Sequence, residues 1–110
     1  MKRFLISFSR SAEVDLNEIV NYFEPINRKY AIELYLKIKK KIEDLSETPE
    51  RGRVVPELEH RGIGDYRELI EGNYRVIYSI KDMNVFIHTI IDSRRNLEEI
   101  LVKRLMERFE

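Results

Sequence analysis

The sequence predicts an α+β domain: a small curved antiparallel β-sheet packed on an N-terminal helical hairpin, in the order β-α-α-β-β-β-α. Three observations carry this reading. Two apolar stripes at helical period fill the first half of the chain. A short alternating run precedes them. Three strand-like runs follow, after an interval rich in glycine and proline. Helices gathered early and strands gathered late point to helices packed on one face of an antiparallel sheet.

The elements follow in order. Phe4, Ile6 and Phe8 alternate with Leu5, Ser7 and Ser9, a period of two that predicts the first strand. Ser11 is placed to cap a helix, with Glu13 and Asp15 in its first turn, where carboxylates suit the helix dipole. From Ala12 to about Phe23, that helix stacks Leu16, Ile19, Val20 and Phe23 on one side, and Pro25 and Asn27 end it. From Tyr30 to Leu45, Ala31, Leu34, Tyr35, Ile38, Ile42 and Leu45 form one apolar stripe. The short link between the two helices predicts an antiparallel hairpin. Ser46 to Asp65 reads as an irregular loop holding Pro49, Gly52, Pro56, Gly62 and Gly64, pinned to the core by Val54, Val55 and Leu58. Tyr66–Glu71, Tyr74–Ile80 and Val85–Ile91 then form a meander, turning at Gly72-Asn73 and at residues 81–84. Asn96 caps a last helix with Glu98 and Glu99 in its first turn and Ile100, Leu101, Leu105, Met106 and Phe109 on its apolar side.

A length of 110 residues fits a single domain, 1–110. Lysine plus arginine equals aspartate plus glutamate at 20 each, so the chain lacks the excess of positive charge that grips nucleic acid in general; a local patch is left open. Without cysteine there is no disulfide and no thiolate metal site, and no cofactor or metal is expected. The start Met1-Lys2-Arg3 is followed by too few apolar residues for a secretory signal, and no apolar run reaches bilayer length. The expectation is a soluble, cytoplasmic protein with no membrane partner.

Three motifs stand in a telling order: "GRVVPEL" at residues 52–58, "YRELIEGNYRVIYSI" at 66–80 and "SRRNL" at 93–97. With the element order, they make nearly the whole chain similar to toxins of the RelE/ParE superfamily from type II toxin–antitoxin modules. The resemblance implies a RelE/ParE-like fold and a cognate antitoxin that wraps the toxin. It implies one of two targets: DNA gyrase for ParE-like members, or mRNA on the ribosome for RelE-like members, which cut it. "GRVVPEL" and "RRNL" lean toward the ParE-like side.

The resemblance also points to site residues. Arg67, Arg75 and Arg94 or Arg95 match basic positions of RelE-like nucleases and would be catalytic only in a RelE-like enzyme. Leu69 stands where a second basic residue is expected, and residues 97–110 contain no tyrosine or histidine. Cleavage through a 2′-hydroxyl needs a base, a cation and an acid, and an arginine that stays protonated is a poor base. His88 is the nearby titrating group, read as a half-buried or edge residue on the face of Phe86 and Ile90; His60 reads as solvated. The turn decides whether the arginines can cooperate. With a two-residue Gly72-Asn73 turn, Arg67 shares a face with Tyr78 and Arg75 takes the other face with Ile70; a three-residue bulged turn would place both arginines on one side. Either arginine can instead be structural, with Glu68 or Glu71 pairing to Arg75 across the strands. The partner-binding candidates are Ile100, Leu101, Leu105 and Phe109, and an uncovered sheet face would receive the antitoxin. Homodimerisation without antitoxin is a further expectation.

Overall fold

The computed structural model describes residues 3–107. Strand β1 (Leu5–Phe8) leads into helix α1 (Arg10–Phe23), which α2 (Arg28–Asp44) follows. The stretch expected as loop contains a single 3-10 turn (Pro49–Arg51), a two-residue strand β2 (Arg53–Val54) and a one-turn helix α3 (Pro56–Glu59). The meander is β3 (Tyr66–Glu71), β4 (Tyr74–Lys81) and β5 (Asn84–Asp92), and α4 (Leu97–Glu107) follows. The sheet order is β1-β5-β4-β3-β2, antiparallel except for the parallel β1–β5 pair. Among the described residues no helix is long and apolar enough to cross a membrane.

The helical hairpin covers one face of the sheet. Leu16, Leu34, Ile38 and Ile42 meet Leu69, Val76, Tyr78, Ile87 and Ile90 there in the main core. The opposite face carries a second cluster, in which Val55, Leu58, Leu97 and Leu101 from the α3 and α4 segments cover Ile77 and Ile91. The expectation of an uncovered face therefore holds only for the part that α3 and α4 leave exposed. Proline at the first helical position starts α3 and so seats Leu58, which the loop reading had captured only as an anchor.

Two local assignments differ from expectation. Ser9, not Ser11, caps α1: its backbone is extended, and its hydroxyl accepts from Ala12 N at 3.0 Å. The helix thus begins two residues earlier, and Asp15 becomes a buried residue rather than a first-turn dipole partner. The reason lies in strand length. β1 stops pairing at Ile87, so the outer edge of β5 is bare beyond it. Asp15 Oδ2 accepts from Ile90 N at 3.0 Å and from Thr89 Oγ1 at 2.9 Å, while Arg104 Nη2 on α4 donates to Oδ1 at 2.8 Å. One carboxylate thereby ties α1, β5 and α4 together.

Gly52 stands where the 3-10 turn crosses the sheet. Its N–H donates to Tyr78 Oη at 2.9 Å, and that hydroxyl donates to Pro49 O at 2.7 Å. A Cβ at residue 52 would lie 2.5 Å from Glu68 O and 2.6 Å from Tyr78 Oη. Gly52→Ala is expected to lower stability by about 1–3 kcal/mol through overpacking, read as a lower denaturation midpoint at unchanged slope; an unshifted midpoint would refute the packing account.

Candidate functional site

The β3–β4 turn fixes where the arginines go. Glu71 pairs with Tyr74, Leu69 with Val76 and Arg67 with Tyr78, so Gly72-Asn73 is a two-residue turn. Gly72 has φ +59, the left-handed backbone that a type II′ turn needs at its first position. Arg67 therefore shares the hairpin-covered face with Tyr78, and Arg75 projects to the other face.

Each guanidinium has a protein partner of its own. Arg67 Nη1 donates to Gly52 O at 2.8 Å and to Glu50 O at 3.4 Å, which anchors the 3-10 turn. Arg75 is buried; it grips Glu57 with two hydrogen bonds, at 2.6 and 2.9 Å, and Glu68 Oε1 through Nε at 2.6 Å. Glu68 is 1% exposed and also accepts from Arg53 Nε at 2.6 Å. Arg53, Glu68, Arg75 and Glu57 thus form one alternating chain of charge. Hydrogen bonding to Arg75 holds the Glu57 carboxyl below its usual range, and the same bond raises Arg75 further above its own. Glu71, the other carboxylate considered for Arg75, instead lies 3.4 Å from Lys41 Nζ.

Arg94 sits at the β5–α4 junction, exposed, with its Nε 2.9 Å and Nη2 2.5 Å from the Asp92 carboxylate. These bonds, with one from Arg94 N at 2.9 Å, hold Asp92 down at about 2. Arg95 is exposed, and its backbone N–H donates to Asp92 O at 3.0 Å. Arg67, Arg75 and Arg94 hence occupy three separate environments and do not converge.

The histidine reading needs one correction. Ile77 pairs with Thr89 and Tyr78 with Ile87, which leaves His88 as the extra residue of a β-bulge. Phe86 and Ile90 consequently fall on different sides: Ile90 packs in the main core, while Phe86 and His88 line the open groove of the other face. His88 is buried, with Nε2 2.7 Å from Ser79 Oγ and its ring edge-on to Tyr66 at 5.3 Å. Ser79, which holds the His88 ring, lies four residues along β4 from Arg75, about 13 Å at strand rise, and His88 makes none of the bonds that hold Arg75. His60 is exposed, as expected. Among the described residues, no cluster of histidine and carboxylate side chains is placed to hold a metal ion.

Of the partner-binding candidates, Leu101 is fully buried and Ile100 is half-buried against the same cluster. Leu105 lies in α4 with its side chain outside the described set, and Phe109 lies outside the described residues. Sequence reasoning missed Glu57 and Arg53 as partners in the charge chain. The available signal was "PEL": a proline-started turn presents its second residue beside the one that anchors it.

A family model described as the ParE toxin of the type II toxin–antitoxin system parDE matches residues 6–97. The chain belongs to the ParE toxin family. It is thus a toxin-class member of the RelE/ParE superfamily with the α+β fold of that group. By sequence, no curated protein matches it. Among solved structures it is similar to a chromosomal ParDE toxin–antitoxin system from P. aeruginosa, with TM-score 0.65, 18% identity and coverage of 82% of this chain and 96% of that one. It is also similar to the RelBE2 toxin–antitoxin complex from Mycobacterium tuberculosis, with TM-score 0.54, 23% identity and coverage of 84% and 93%. A substituted E. coli RelE toxin in the free state gives TM-score 0.65, 16% identity and coverage of 98% and 99%. At these identities the three likenesses establish the fold. The ParDE structure and the free RelE structure match it equally well in shape.

Two predictions follow from the charges of this ParE-family chain. Arg75→Met leaves Glu68 buried beneath one exposed cation and is expected to cost about 3–5 kcal/mol, whereas Glu68→Met with Arg75→Met together should cost less than Arg75→Met alone. Chemical denaturation of both variants decides it; a double variant weaker than the single would contradict the desolvation argument. Asp92 has a folded value below its ordinary 3.8, so its contribution to stability is present above that value and is lost as pH falls through about 2. In Arg94→Ala the Asp92 carboxyl should titrate higher by NMR, with the bond from the residue 94 N–H still holding it below its ordinary value, and an unmoved midpoint would show that the Arg94 guanidinium is not the cause.

Proposed function

We propose that this ParE-family toxin acts by binding a topoisomerase, DNA gyrase, as a non-enzymatic inhibitor, and that a cognate antitoxin neutralises it. The observation that carries the reading is the state of Arg75. Its guanidinium is spent on Glu57 and Glu68 and is turned into the protein. A phosphate would have to displace two carboxylates to reach it. Residues 97–110 supply no tyrosine or histidine to protonate a leaving group, and Arg67 faces the opposite side of the sheet. A binding surface needs none of these parts.

The antitoxin reading draws on the family and on the solved relatives described as ParDE and RelBE2 toxin–antitoxin systems. In this chain the unpaired edge of β3 beyond β2 offers a seat for an added strand. Lys41 Nζ donates to Ile70 O there at 2.6 Å, blunting the edge until a partner displaces it. Ile100 is reachable at the margin of α4, whereas Leu101 contacts a partner only after α4 lifts from Ile77 and Ile91.

Purified chain should inhibit gyrase supercoiling and trap double-strand breaks, and added antitoxin should restore supercoiling. In parallel, mRNA should survive incubation with ribosomes and the chain. Ribosome-dependent cleavage that Arg94→Ala removes would replace this reading with the RelE-like endoribonuclease.

A further inference from the structure

Helix α2 buries one side and turns the opposite side to solvent. Ala31, Leu34, Ile38 and Ile42 are its buried side. On the far side Ile32 is 49% exposed and Leu36 is 58% exposed, and Lys29, Glu33, Lys40 and Glu43 around them are exposed as well. At about 100° per residue, Lys29, Leu36, Lys40 and Glu43 fall in a strip roughly 60° wide, bordered by Ile32 on one side and Glu33 on the other. Nothing in the proposed topoisomerase binding uses this strip. Among the described residues, none of Lys29, Glu33 and Glu43 has an ion-pair partner within the chain.

The charges of the strip complement their own reversed order. Lys29 lies seven residues before Leu36 and Glu43 seven residues after it, about 10 Å either way at helical rise. Glu33 stands three residues before Leu36 and Lys40 four after, both toward the same border of the strip. When the helix is laid antiparallel on its own copy, with a two-fold axis beside Leu36, each border of the strip meets the same border of the copy. Leu36 then faces Leu36, each Lys29 faces a Glu43, and each Glu33 faces a Lys40. Ile32, on the other border, packs against the flank of the copy's Leu36. Lys40 Nζ, 2.9 Å from Asp44 Oδ1, comes to lie between two carboxylates. A parallel pairing would set Lys29 on Lys29 and Glu43 on Glu43, so charge selects the antiparallel one.

We propose that this face of α2 seats a second copy of the chain, in an antiparallel α2–α2 pair. The contact is isologous, so it closes on itself as a dimer and does not propagate. Only Ile32 and Leu36 of each copy are apolar there, which places the interface at the small, weak end of the range and makes the dimer dependent on concentration. The charged rim fixes orientation more than it adds strength. The sheet and the buried side of the hairpin are untouched, so association requires no rearrangement of either copy.

The test is analytical ultracentrifugation of the full chain over a wide range of concentration, with four variants. The unsubstituted chain should show a monomer–dimer equilibrium. Lys29→Glu or Glu43→Lys alone sets like charges opposite each other at two places and should raise the dissociation constant about tenfold. Both together restore the pairs with their signs exchanged and should return the constant to within about twofold of the original. Leu36→Lys should leave only monomer. A glutamate in the first turn and a lysine in the last suit the helix dipole, so a lost dimer in the single variants cannot be traced to a lost helix. The proposal is overturned if the unsubstituted chain is monomeric throughout, if the single reversals dimerise as it does, or if the double reversal is no tighter than the singles. Because no topoisomerase enters the measurement, its result is independent of the gyrase assay.

Discussion

Glu68 carries a charge into a place that excludes water, and much of the molecule is arranged around that fact. A carboxylate at 1% exposure is tolerable only when cations replace its hydration. Arg75 from β4 and Arg53 from β2 do so at hydrogen-bond distance. Arg75 then needs a second carboxylate for the rest of its fork, and Glu57 on α3 supplies it. The short strand and the one-turn helix have little packing area of their own. Their positions follow from the charges they must deliver, with Val55 and Leu58 closing the apolar side. A buried chain of this kind adds little net stability; its effect is to make one arrangement of β2 and α3 far better than any other.

The two-residue turn at Gly72-Asn73 sets the other boundary condition. Side chains alternate along a strand, so one added residue in that turn would carry Arg75 to the side of Arg67 and leave Glu68 buried without it. The same parity that separates Arg67 from Arg75 therefore secures the charge chain. Two demands that look unrelated, a tight hairpin and a satisfied carboxylate, select the same register. The bulge at His88 acts on the other side of β4: it restores the match between β4 and β5 after the alternation slips, and it costs β5 one paired residue.

Much of this was legible in the sequence because it depends on period and on turn chemistry. β3 was read to its residue boundaries and Asn96 as the cap of the last helix, whereas Asn27, read only as ending the first helix, caps α2. What escaped was non-local. Ser9 outcompetes Ser11 as a cap because β1 ends one residue before it, and no local pattern reports where a parallel neighbour stops. Asp15 looked like a dipole residue because its partners, Thr89, Ile90 and Arg104, lie 74 to 89 positions away. The arginines were legible as a choice between two turns, and the Gly-Asn pair favoured the one observed. Their carboxylate partners were legible only in part, since Glu68 is diagonal to Arg75, two residues from its cross-strand partner Ile70, while Glu57 comes from a turn that the loop reading left without shape.

A ParE structure and a RelE structure match this chain with the same TM-score, so the backbone does not separate inhibition from cleavage. The separation has to come from side chains, and the proposed reading rests it on electrostatics. An arginine poised for phosphate must be desolvated enough to bind strongly, yet free to exchange its partner. Arg75 meets the first requirement and fails the second, because Glu57 and Glu68 together offset its charge twice over. Removing Glu57 alone would not release it, since Glu68 is buried deeper and cannot rehydrate without Arg75. Freeing the guanidinium therefore means dismantling β2 and α3, the segment that also seats Leu97 and Leu101 of α4. On the proposed reading, Arg75 is committed to holding the fold and is not available to a phosphate.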